Sequence, residues 1–180
     1  MISGYGASHG PLHFFIWNFF FSVLIKDSLP LTSQTIFIPN IVATWVLLIY
    51  SYLLGRQFFS KKFSYLFAAA VILSPWGGIA MREPTFHALL TTLMHIATLY
   101  HYTVFIKEPD RPLNRFLAPF SLAIYLMAGL DWPFFLFIIV LYLAISQKLK
   151  AAIFNKYNLL PIAVMSVHIT FFLKLALTTD

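Results

Sequence analysis

Cysteine is absent from this 180-residue chain. That excludes disulfides, thiol nucleophiles and thiolate metal sites, and leaves the redox compartment open. Charge is scarce: 12 Lys and Arg and 6 Asp and Glu make up 10% of the residues. A soluble domain carries roughly 25% charged residues, so this composition belongs to the membrane class. No Walker loop, dinucleotide fingerprint or nucleophile motif occurs. No Lys or Arg precedes Lys26, so the start of the chain does not read as a signal peptide, which needs a positively charged n-region.

In place of charge the chain has apolar mass: 60% hydrophobic, 18% aromatic, mean hydropathy +0.81. Crossing a bilayer takes roughly 20 mostly apolar residues in a helix. Such runs lie at 37–55, 63–81, 86–106, 116–130, 132–147 and 159–177. The fourth and fifth are short, and Asp131-Trp132-Pro133 marks a turn between them. Gly55 is expected to stop the first helix just before Arg56. Ser74-Pro75-Trp76-Gly77-Gly78 is expected to interrupt the second, since Pro removes a backbone hydrogen bond and paired glycines loosen the helix. Ahead of these runs, an aromatic segment at 11–25 opens on Pro11. It covers about 21 Å at 1.5 Å per residue, short of a ~30 Å hydrocarbon core, and is expected to lie in the outer leaflet rather than cross. The fold class is all-α: a polytopic membrane protein of about six transmembrane helices plus a short N-terminal outer-leaflet helix, with 1–180 as a single membrane domain.

Charge placement sets the sidedness. Arg56, Lys61 and Lys62 form one cluster, Lys107, Arg111 and Arg115 a second, and Lys148, Lys150 and Lys156 a third, nine of the twelve cations. The alternate loops hold Asp27, Glu83 and Asp131, with Lys26 and Arg82 as their cations. Short loops rich in Lys and Arg stay cytoplasmic, so loops 56–62, 107–115 and 148–156 face inward, and 26–35, 82–85 and 131 face outward. The formal charge of +6 is this loop bias. No basic stripe with interleaved aromatics accompanies it, which excludes nucleic acid as a partner. The partner is the lipid bilayer.

Chemistry is therefore sought at the outer face. Arg82-Glu83 either ends a helix as an interfacial ion pair or contributes to a site. Glu83 and His87 are four apart and share a helix face, and Arg82 offers planar bidentate donors to phosphate. Asp131 either caps the helix that follows or stands as a carboxylate at the mouth of the same cavity. Trp132 fits an interfacial anchor or a platform for a sugar ring. The histidines do not assemble a metal site: His9 and His13 lack a third ligand, and His87 and His95 are about 12 Å apart along a helix. His95, His101 and His168 are expected to face the bundle interior. No cofactor and no metal is called for.

Several stretches together resemble the membrane core of the GT-C glycosyltransferases, in particular family-39-type enzymes related to protein O-mannosyltransferases and aminoarabinose transferases. His9-Gly10-Pro11-Leu12, ahead of the aromatic segment, is similar to the family's His-Pro-Pro-Leu entry into its juxtamembrane helix, with Gly10 in place of the first of the two prolines. Ile38-Pro39-Asn40 through Leu47-Leu48-Ile49-Tyr50 to Leu54-Gly55-Arg56-Gln57-Phe58-Phe59 resembles the next family helix and its basic end. Ser74-Pro75 and Met81-Arg82-Glu83 resemble the Ser-Pro and Arg-Glu stretch that follows, and Gly129-Leu130-Asp131-Trp132-Pro133 falls at an outer turn. The similarity covers about residues 9–145, and the order and spacing of the motifs carry it.

What the resemblance implies is transfer of a sugar from a polyprenyl-phosphate-linked donor on the external face of a prokaryotic plasma membrane. His9, Arg82, Glu83, His87, Asp131 and Trp132 would line the donor site, with Arg82 on the phosphate. The family's acidic base lies upstream of its His-Pro-Pro-Leu segment, so the catalytic residue is unknown here. The chain is expected to be either a portion of a longer core, completed by missing helices or a partner subunit, or a degenerate relative, and in both cases inactive alone. The rival is a non-catalytic transporter or flippase-associated protein, which would place polar residues at mid-membrane depth on discontinuous helices.

The sidedness has a direct test, because a cysteine-free chain accepts single reporters. In intact cells an impermeant thiol reagent should label Ser28→Cys and leave Lys61→Cys unlabelled. The reverse pattern would overturn the orientation.

Overall fold

The computed structural model describes Phe19 and residues 38–74, 87–128 and 132–178, except for the side chains at 87, 132, 168, 171–173 and 175–178. All regular structure among the described residues is helical. Helix α1 spans Ile38–Phe58, α2 Lys61–Leu73, α3 His87–Lys107, α4 Pro112–Ala128, α5 Trp132–Ile145, α6 Leu149–Ile153 and α7 Leu159–Thr178, with a 3-10 turn at Lys156–Asn158. The outer-leaflet helix expected at 11–25 lies outside the described residues, Phe19 apart.

The span count is corrected. Among the described residues, two of the six expected spans, α1 and the 88–107 portion of α3, are long and apolar enough by themselves to cross a membrane. The second expected span stops at Leu73, and Ser74 turns extended (φ −58°, ψ 151°), because a residue before proline is pushed out of the helical region. Helices α4 and α5 have 17 and 14 residues. Helix α5 ends at Ile145 because Gln147 adopts φ 55°. The Gln147 N–H then bonds the Ala144 carbonyl at 3.0 Å and the Lys148 N–H the Leu143 carbonyl at 2.9 Å. These two bonds make a Schellman stop, here without its usual glycine.

Gly55 is a second correction. It does not end α1 but lies buried inside it. A Cβ there would sit 3.2 Å from both Ser64 Cα and Phe67 Cδ1. On α1 the buried residues Pro39, Asn40, Ala43, Leu47, Ser51, Leu54 and Gly55 recur at helical spacing. On α2 the buried residues are Ser64 and Ala68. Ser51 and Gly55 thus meet Ser64 and Ala68, small residues four apart on both partners. This is the pairing that lets helix backbones approach closely in an apolar solvent.

Helix α3 is the spine. Ala43 and Leu47 of α1 share one buried cluster with Leu89, Leu90 and Leu93 of α3 and Ala128 of α4. Tyr102 and Phe105 of α3 share a second with Leu122, Tyr125 and Leu126 of α4 and Phe135, Ile139 and Leu143 of α5. Helices α1, α3 and α5 therefore run one way and α2, α4 and α7 the other. The core also buries Asn40, Ser51, Ser64, Thr98, Thr103, Asn114 and Ser121. The exterior carries Trp45 (65% exposed), Phe63 (63%), Phe134 (71%), Phe137 (63%) and Val167 (70%). Large apolar side chains thus stand outside as well as inside, with small polar ones among those buried, which departs from the soluble pattern.

The basic connections meet at one end. Lys107 Nζ donates to the Gln57 carbonyl and to Gln57 Oε1, each at 2.9 Å, joining the first to the second. Asn155 Nδ2 donates to the Arg115 carbonyl at 2.6 Å, joining the second to the third. The latter bond has a local cause. Pro119 lies inside α4 and has no N–H to offer the carbonyl four residues back, which is that of Arg115.

Gly55→Val should force α1 and α2 apart, at a cost of about 1–3 kcal/mol for overpacking. Unfolding of the detergent-solubilised chain checks this against Gly55→Ala, whose smaller side chain needs the neighbours to give only slightly and should cost less.

Candidate functional site

Four of the six residues singled out for donor binding, His9, Arg82, Glu83 and Asp131, lie outside the described residues. The other two open helices: His87 begins α3 and Trp132 begins α5. Both helices end at the basic connections, so both starts lie at the opposite end of the bundle. Their depths differ. The His95 ring centroid is 4.4 Å from that of Phe135, and Thr103 Oγ1 is 3.2 Å from the Tyr142 hydroxyl. The offsets are 135 − 95 = 40 and 142 − 103 = 39. On that register Trp132 stands level with Thr92, about 7 Å deeper along the spine than His87 at 1.5 Å per residue. The chain on either side of these two starts carries the Arg82-Glu83 and Asp131 motifs.

Toward the middle of the bundle, polar rings gather around α3. The Tyr50 hydroxyl and His101 Nε2 share a hydrogen bond at 3.2 Å. Tyr100 sits edge-on to both, with centroids 5.8 Å from Tyr50 and 5.2 Å from His101. His95 lies between Tyr125 (4.6 Å) and Phe135 (4.4 Å). Thr98 Oγ1 donates to the Ser121 carbonyl at 3.2 Å, crossing from α3 to α4. As expected, His95 and His101 turn toward neighbouring helices; the His168 side chain is outside the described residues. An imidazole bonded to a phenol can fix an orientation or pass a proton. No carboxylate joins it among the described residues: Glu108 and Asp110 stand at the basic end, held by Arg111 and Arg115 at 3.1 Å each. No three His, Asp or Glu side chains among the described residues group closely enough to hold a metal ion.

The Tyr50–Tyr100–His101 group was not singled out from sequence, although a signal for it exists. Tyr50 precedes Arg56 by six positions and His101 precedes Lys107 by six. In two parallel helices anchored by basic ends, equal offsets mean equal depth. Only the pairing of α1 with α3, which local periodicity does not encode, turns that into a contact. Asn155 was missed for a similar reason: its partner carbonyl is 40 positions away.

Comparison with protein-family models, with curated proteins and with solved structures finds no match in any of the three.

The Tyr50–His101 bond should behave as a coupled pair. In a double-mutant cycle of Tyr50→Phe and His101→Phe, unfolding in detergent should give a coupling of about 0.6 kcal/mol, the average for interhelical side-chain hydrogen bonds in a membrane bundle. Strictly additive losses would show that the two side chains act separately.

Proposed function

We propose that this chain is a membrane-embedded helical bundle that takes part in glycosyl transfer, binding a polyprenyl-phosphate-linked sugar at the end opposite its basic connections. The observation that carries the membrane placement is the apolar exterior: Phe134, Phe137 and Ile145 of α5 and Ile162 and Val167 of α7 point outward. Such surfaces are stable against lipid tails and costly against water. The reading therefore puts α2, α4, α5 and α7 in the same apolar layer as α1 and α3. The basic end faces the cytoplasm of a prokaryotic cell, where short Lys- and Arg-rich loops are retained.

The transfer reading rests on the resemblance of the 9–145 stretch to the GT-C core and on that sidedness. The segments that carry the Arg82-Glu83 and Asp131 motifs join helix ends at the non-basic face. There Arg82 would hold the donor phosphate through charge-assisted hydrogen bonds, with His9, Glu83, His87, Asp131 and Trp132 around the sugar. In the assembled enzyme a carboxylate would take the acceptor proton while cations stabilise the departing phosphate.

Donor binding tests this. Losing a charged hydrogen bond to a buried phosphate costs roughly 1.5–3 kcal/mol, about ten- to a hundredfold in affinity. Arg82→Ala should weaken binding of a polyprenyl-phosphate sugar by that factor, while Lys61→Ala, a charge-matched change at the opposite end, should leave it unaltered. Measured in the full-length context, equal effects of the two would reduce Arg82 to a membrane anchor, and absence of donor binding there without either substitution would remove the transfer reading.

A further inference from the structure

The basic end carries more positive charge than the protein itself neutralises. Nine cations lie in the three connections, and Glu108 and Asp110 are the acids among them. Those two are taken by Arg111 and Arg115. The difference, 9 − 2 = 7, leaves Arg56, Lys61, Lys62, Lys107, Lys148, Lys150 and Lys156 without a carboxylate partner within 4.0 Å among the described residues. Most of these spread around the rim. Lys107 differs, because it stands beside a cavity.

That cavity, about 350 Å³, is a groove floored by α3 and walled by α1 and α5. Leu54 and Phe58 form one wall, Ile138, Leu141 and Ile145 the other, and Leu99 the floor. Its two polar side chains are already satisfied: Thr103 Oγ1 donates to the Leu99 carbonyl at 2.7 Å and lies 3.2 Å from the Tyr142 hydroxyl. An occupant thus meets hydrocarbon without desolvating an unpaired polar atom. Leu141 (47% exposed) and Ile145 (73%) open the groove to the exterior. At its basic mouth Lys107 Nζ lies 6.0 Å from the centre of the Phe58 ring. Two of the three ammonium protons are used on Gln57, and the third is left for an anion.

We propose that this groove seats one acyl chain of an anionic glycerophospholipid of the cytoplasmic leaflet, with the lipid phosphate on Lys107. The proposal rests on the membrane placement and not on the transfer reaction. An apolar slot along the helices with one under-used cation at its headgroup end matches one acyl chain and the phosphate above it. A zwitterionic lipid would fill the slot but bring a second cation beside its phosphate, so only an anionic headgroup meets Lys107 with net negative charge. The site is at the opposite end of the bundle from the sugar-donor motifs.

Native mass spectrometry of the full chain, released from dodecyl maltoside containing either palmitoyl-oleoyl phosphatidylglycerol or the phosphatidylcholine with the same acyl chains, tests it. The chain should retain one phosphatidylglycerol in preference to phosphatidylcholine. Lys107→Gln should lower that retention roughly fivefold, the weight of one cation near an anionic membrane surface. Lys150→Gln, a cation of the same end away from the groove, should leave it unchanged. Leu141→Trp, filling the slot from its exposed side, should abolish retention while helicity and gel-filtration behaviour stay those of the unaltered chain; Ile145→Trp serves the same purpose should Leu141→Trp misfold. Equal retention of the two lipids overturns the proposal. So do equal losses in Lys107→Gln and Lys150→Gln, which would mean diffuse adsorption to the basic rim, and so does full retention in a correctly folded groove-filling variant.

Discussion

Polar side chains that bond to backbone within or next to their own helix are what allow this bundle to close. Ser64, Thr92, Thr103 and Thr44 each return a hydroxyl to the carbonyl four residues earlier. So satisfied, they can stand in an interior where an unpaired hydroxyl would be costly. Their small size then lets neighbouring backbones approach, as where Gly55 meets Ser64. Large apolar groups such as Phe105, Tyr125 and Leu126 pack in the core beside them, while many others face outward. Close backbone packing, interhelical hydrogen bonds and van der Waals contact join the helices together with that apolar core.

The two ends of the bundle follow from this interior. At the basic end, side-chain amides and one ammonium cross-link the connections: Gln57 to Lys107, Asn155 to Arg115, and Asn158 to the Ala152 carbonyl at 2.6 Å. Helices α1 and α3 finish there with Arg56 and Lys107 in their last turns, where a cation is favoured by the helix dipole. The Gln57–Lys107 bonds hold α1 on α3 and the Thr103–Tyr142 bond holds α5 on it, with the apolar groove between α1 and α5. The opposite end, where α3 and α5 begin, is the one to which the sugar-donor reading assigns chemistry.

The route from sequence to site was uneven for physical reasons. Arg82, Glu83 and Asp131 drew attention because charge is rare in this chain, and rarity shows without any knowledge of contacts. Tyr50 did not, and His101 was placed in the interior without its partner, because the two meet only through the α1–α3 pairing. Gly55 was misjudged as a stop because glycine before a basic cluster fits a helix end as well as a close crossing. Deciding between them needs the position of Ser64, on another helix.

Composition and charge order by themselves determined that the chain is helical, apolar and sided, with three basic connections alternating with acidic ones. Those properties are local or cumulative, and no folding is needed to read them. The tertiary structure alone decided which face of each helix is buried and that Gln147 takes the left-handed turn ending α5. It also decided that Asn155 serves the carbonyl stranded by Pro119. In a soluble bundle an amphipathic stripe would have marked the buried faces in advance. Here exterior and interior positions are both largely apolar, so hydropathy barely separates them. Side-chain size and hydrogen-bond partners, which only packing supplies, make the distinction.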